Sequence, residues 1–217
     1  LYHLAQSQGV ALLPSFTFRH CSYLHNFANC LHSYRSNIES ASLIWSDPIT
    51  EMRYGEQKHY DNSISLALDL MPHVWSIIST LWEQPLNMSI RTESCQVSRG
   101  GRLASFDLAV GSVTCHVSLE RESDRRRRIL TVQLKNGYQL SLDFSMEPGV
   151  IRIGQESFSG DDRWDQTKRP VQRQIREFLD IVETSQQPEF FKIAAIQSIQ
   201  LAESTDKLLS KHIAALR

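Results

Sequence analysis

The chain has 217 residues, 41% of them hydrophobic and 22% charged, ordinary values for a globular protein with room for a substantial core. Lys plus Arg number 23 against 24 Asp plus Glu, a formal charge of -1, which argues against nucleic acid or an anionic membrane as a partner. No apolar run approaches the roughly 20 residues that span a bilayer, and Gln6, Ser7 and Gln8 break any signal-peptide pattern. Four scattered cysteines, Cys21, Cys30, Cys95 and Cys115, read as reduced thiols of a cytoplasmic protein.

Residues 1–8 read as the end of a helix closed by Gly9, and "VALLPSF" as a short buried strand. The chain begins at Leu1, in what reads as mid-helix, as a piece of a longer protein would. Residues 21–36 are weakly helical, "IESASLIW" (38–45) alternates like a strand, and 48–60 is polar loop. A helix carrying Asp69 and His73 then runs to about Trp82. From Leu86 to Phe158 six stretches alternate apolar with polar residues. Turn signals at Gly100-Gly101, Gly111, Asn136-Gly137 and Pro148-Gly149 separate them. That pattern predicts antiparallel strands with one buried face. Pro170 opens a helix with an apolar stripe of Val171, Ile175, Phe178, Leu179 and Val182. A closing helix, roughly 192–216, carries Ile193, Ile196, Ile199, Leu201, Leu208 and Leu209. The fold class is α+β: a large, mainly antiparallel (mixed) sheet with helices on one face.

"RRRR" (125–128) invites a phosphate, but it follows Glu120, Glu122 and Asp124 between two strands, where a solvated hairpin end explains it. "HCSYLHNFANCLH" (20–32) would put Cys21, His25 and His32 on one helical face and Cys30 elsewhere. It has neither zinc-finger nor H-E-x-x-H spacing, so no metal site is expected. G-x-G-x-x-G, Walker A and G-x-S-x-G motifs are absent.

Asp69 and His73 sit one turn apart, with Ser76 and Thr80 continuing the strip beside an apolar stripe of Leu66, Leu70, Val74, Ile77 and Leu81. Two readings stand. If the helix starts near Leu70, Asp69 is its N-cap and Pro72 sits in the first turn. Otherwise the strip is a cleft wall and His73 a proton-handling group, a task that suits histidine because its side chain ordinarily titrates near neutrality.

"LALDLMPHVWSII" resembles the D-x-x-x-H helix of the Gfo/Idh/MocA oxidoreductase family. "LYHLAQSQGVALLPSFTFRH" resembles that family's last Rossmann helix and strand and its crossover arginine, here Arg19. "RPVQRQIREFLDIVETSQQPEFFKIAAIQSIQLAESTDKLL" is similar to its closing helices. The resemblance spans the whole chain but only the rear part of the family's length. It implies residues 1–18 as a remnant of a Rossmann-type helix and strand, and 19–217 as a substrate-binding and oligomerisation domain. It implies His73 as general acid/base for a hydroxyl or imine, Asp69 orienting it or binding substrate, and Arg19 on the substrate. NAD or NADP would belong to the full-length parent, with none expected on this chain alone. Partners would be a sugar-like or other carbonyl or imine compound, and further copies of the chain through an apolar open sheet face. The glycines that usually precede the aspartate are "SISLA" here, Ser76 replaces a frequent aspartate, and the E-K-P lysine is missing. A non-enzymatic oligomerisation or partner-binding module is the alternative.

Overall fold

Strand β1 (Ile38–Pro48) lies in the middle of a sheet whose other strands all follow later in the chain. The computed structural model describes residues 1–53, 55–57, 60–61, 63–82, 89–185 and 188–215. After a small hairpin of β2 (Met52–Arg53) and β3 (Glu56–Gln57) come β4 (Ile90–Ser98), β5 (Leu103–Val110), β6 (Val113–Ser123) and β7 (Arg127–Leu134). Then follow β8 (Gln139–Asp143), β9 (Val150–Ile153) and β10 (Glu156–Ser159). Among the described residues these make an eight-stranded sheet, ordered β10-β9-β8-β7-β1-β6-β5-β4. β1 runs parallel to β6, and the other neighbours are antiparallel, so the sheet is mixed and mainly antiparallel, as the alternation predicted. The start of that prediction, at residues 86–88, lies outside the described residues. The Asn136-Gly137 turn forms with Gly137 at φ 84°, a conformation that costs glycine nothing.

Period-two patterning selects the faces. Leu43, Phe106, Leu108, Val117, Leu119, Leu130, Val132 and Leu142 point to one side and are buried there under helices. Each contributes about 1.5–3 kcal/mol by leaving water. The cover consists of α2 (Ser22–His32), α3 (Leu66–Trp82) and α5 (Glu189–Ala215). α3 packs on β6 and between α2 and α5, and α5 also covers β4. α3 is buried nearly all round, and Ser76 and Thr80 are inside with it. The Thr80 hydroxyl donates to the Ser76 carbonyl (2.8 Å). The expected polar strip therefore reaches the surface only at Asp69 and His73.

Three expectations change. "VALLPSF" forms no strand; no described strand runs beside it, and an unpaired strand cannot satisfy its backbone groups. α5 turns Ala194, Ala195, Ser198 and Ala202 inward, because α3 approaches closely, while Ile196 and Ile199 are exposed. The open sheet face is polar, not apolar. Arg152, Ser141, Thr131, Ser42, His116, Asp107 and Ser94 form one row across the strands. Exposed apolar surface lies instead on α4 (Pro170–Thr184), whose stripe of Val171, Ile175, Phe178, Leu179 and Val182 is open. Among the described residues, α4 rests on the 3-10 turn Thr17–His20 after α1 (Tyr2–Ser7).

Candidate functional site

α3 starts at Leu66, capped by the Ser65 hydroxyl, which accepts the Leu68 N–H at 3.1 Å. Asp69 is thus a first-turn residue, not the N-cap, and Pro72 lies inside the helix. The Asp69 carboxylate is taken by Arg121 of β6, which donates to it at 2.8 Å. The same guanidinium donates to the carbonyls of Ile64 (2.9 Å) and Ser65 (3.2 Å). Arg121 therefore ties the start of α3 to the end of β6, and Asp69 is a member of that clamp.

His73 is half-buried where the parallel strands β1 and β6 end. Its imidazole stacks on Trp45 with centroids 5.6 Å apart and planes 2° off parallel. Phe18 meets it edge-on at 5.7 Å. Behind the indole lies a buried ion pair. Arg128 donates to Asp47, and its guanidinium carbon sits 3.6 Å from the Trp45 ring centre. The indole N–H donates to the other Asp47 oxygen at 3.4 Å. Burial pushes the Arg128 guanidinium down to about 10, while Asp47 pulls it back up. Burial raises the Tyr60 phenol as well, helped by the Asp47 and Glu51 charges, and Arg126 pairs with Glu51 at 3.4 Å. The arginine run is accordingly not all solvated hairpin: Arg125 and Arg126 are exposed, but Arg128 is 1% exposed. Alternation carried that signal, since residues 128, 130, 132 and 134 share the buried face, as do 115, 117, 119 and 121.

Arg19 stands apart from this group. Its guanidinium lies 3.8 Å from the Phe190 ring centre, beside Glu177, with burial pushing it down and Glu177 pushing it up. Two clefts run along α4: one between Gln6, Val10, Ile181 and Val182, the other between Leu13, Thr17, Gln174 and Ile175. Neither is lined by His73. No three His, Cys, Asp or Glu side chains among the described residues are placed to hold a metal. Cys21 and Cys115 are buried free thiols pushed up to about 12 by that burial, which leaves them poor nucleophiles.

No protein-family model matches this sequence, and no curated protein matches it. The fold, however, is found among solved structures. A Thermotoga maritima oxidoreductase superposes with TM-score 0.67 at 11% identity, over 99% of this chain and 66% of its own. A Gfo/Idh/MocA family oxidoreductase from Vibrio cholerae gives 0.60 at 14% identity, over 98% and 66%. An inositol dehydrogenase homologue from Azotobacter vinelandii, in complex with NADH and myo-inositol, gives 0.64 at 8% identity, over 97% and 64%. At these identities the likeness is one of fold. It agrees with the fold that the sequence resemblance implied. The chain spans 64–66% of the length of these three proteins.

Proposed function

We propose that this chain is the substrate-binding and acid/base half of an NAD(P)-dependent oxidoreductase of the Gfo/Idh/MocA type. The observation that carries the reading is His73, half-buried on α3 at the strand ends, walled by aromatic rings and ringed by paired charges. A histidine held there can take the proton from a substrate hydroxyl as it is oxidised, and return it in the reverse direction. The substrate class is a sugar-like alcohol or another carbonyl or imine compound; the inositol dehydrogenase homologue carries myo-inositol on a similar fold. Asp69, already bound to Arg121, serves this site by fixing the start of α3. Arg19, stacked on Phe190 beside Glu177, would meet substrate outside the His73 ring cluster.

In this reading the dinucleotide belongs to another part of the full-length protein. Residues 1–21 give a short helix, an irregular segment and a 3-10 turn, without the glycine-rich strand-to-helix turn that cradles phosphates. A separate nucleotide-binding half would have to hold it, and the open apolar stripe on α4 offers that half a docking face. Copies of the chain would associate through the open sheet face, now by polar complementarity.

The test is NAD(P)-linked oxidation of a polyol panel by protein carrying the nucleotide-binding half. His73→Ala should lower turnover by roughly 10²–10⁴-fold while leaving the fold intact. Undiminished turnover in that variant would remove His73 from the chemistry. No turnover of any compound by the unaltered protein would leave the partner-binding module as the better reading, which the exposed α4 stripe also favours.

A further inference from the structure

We infer that Trp45 is a positioning residue for His73, itself held by the buried Asp47–Arg128 pair. This rests on the reading of His73 as the acid/base and deepens it. His73, Trp45 and Phe18 form a closed triangle of rings: 5.6 Å between His73 and Trp45, 5.7 Å between His73 and Phe18, 5.3 Å between Phe18 and Trp45. The indole contact is offset-parallel and the two phenyl contacts are edge-on, both favoured arrangements. A half-buried imidazole has two side-chain torsions to settle, and rings on two sides leave it little choice of plane.

Trp45 in turn is fixed from beneath. Trp45 and Arg128 are direct register partners across β1 and β7, so the ladder itself sets the guanidinium against the indole. Asp47 holds the other end of both, accepting from the indole N–H and from Arg128. A buried ion pair is an expensive foundation, since apolar side chains of equal volume often stabilise as well or better. What the pair adds is a single orientation for the ring above it. The charges that face this cluster are themselves paired: Asp69 with Arg121 from α3 and β6, Asp47 with Arg128 from β1 and β7, and Glu51 with Arg126, with the Tyr60 phenol beside Asp47. The indole's π-face lies parallel to the imidazole, and a π-face favours the protonated ring.

The experiment follows the His73 ring by NMR through a pH titration, assigned with His73→Gln, in the 217-residue chain. Trp45→Leu should move the His73 midpoint down by about half a pH unit, and Trp45→Phe, which restores a π-face, should bring most of it back. Arg128→Lys keeps the charge beside Asp47 but loses the flat guanidinium, so it should move the midpoint the same way by less. If Trp45→Leu does not fold, Arg128→Lys alone decides the matter. In protein with its nucleotide-binding half, Trp45→Leu should lower kcat about 10-fold with KM little changed, the mark of a misaimed acid/base. A His73 midpoint that stays put in every folded variant overturns the inference. Failure of the underlying reading looks different: His73→Ala would keep turnover while Trp45→Leu still moved the midpoint.

Discussion

Two histidines stand on opposite faces of the same sheet, in contrasting surroundings. On the open face His116 meets Asp107 directly, at 2.5 Å, and Ser94 donates to the same carboxylate at 2.6 Å. On the covered face His73 has aromatic rings beside it, with its nearby carboxylates Asp69 and Asp47 engaged by arginines. By hydrogen-bond geometry alone His116 is the better acid/base. It is nevertheless 59% exposed, in a flat polar row where water screens every charge and nothing encloses a substrate. The two histidines thus differ in what surrounds them: a carboxylate in water on one face, aromatic rings on the other.

The comparison sharpens first at the carboxylates. Asp47→Asn should cost about 3–5 kcal/mol in urea unfolding, because Arg128 is left buried without its counter-charge. A loss below about 1 kcal/mol would mean that the pair is not buried in solution. Arg121→Met comes next, at about 2 kcal/mol, since it frees Asp69 and strips the carbonyls of Ile64 and Ser65 of their donor. His73 should then lose its setting, whereas His116 should be untouched.

On the open face, the Ser94 hydroxyl and then the His116 imidazole hold the Asp107 carboxyl below the usual carboxylate range. A depressed carboxylate stabilises the fold above its unfolded value, near 4, and that contribution is lost as pH falls further. Exposure discounts it to under about 1 kcal/mol, so Asp107→Asn should scarcely change urea stability at pH 7 and should flatten the acid limb of the curve. The smallest effect is expected from Ile175→Glu on α4. Its side chain is 53% exposed, and the monomer should lose no more than about 0.5 kcal/mol. Binding of a nucleotide-binding half, measured by calorimetry, should fall much further if α4 is its docking face.

Much of the fold was legible because strands advertise themselves by alternation, and β5, β6 and β7 follow it almost residue by residue. The same rule could have found Arg121 and Arg128, which occupy inward positions of their strands; the acidic residues before the run suggested solvent instead. Other features are not local. Whether α4's stripe is covered depends on what lies against it, which hydrophobic spacing cannot say. α5 buries alanines and a serine, residues that carry little apolar signal. The stacking of Trp45 on His73 joins residues 28 positions apart and depends on where β1 lands in the sheet. His73 could be picked out from its helix; its platform could not.

The central place of β1 also governs the order of assembly. Its partners arrive late: Ser40 pairs with Thr114, and Ala41 with Val132. A chain emerging from the ribosome must carry "ASLIW" unpaired until β6 and β7 have been made, a long wait for an apolar segment with both edges open. Closing such distant pairs makes folding slow, and the waiting strand is the place where nascent chains would stick to one another. Synthesis halted before Arg127 would leave β1 without its antiparallel neighbour. Trp45, later the platform beneath His73, is thus among the residues most in need of a chaperone's protection at birth.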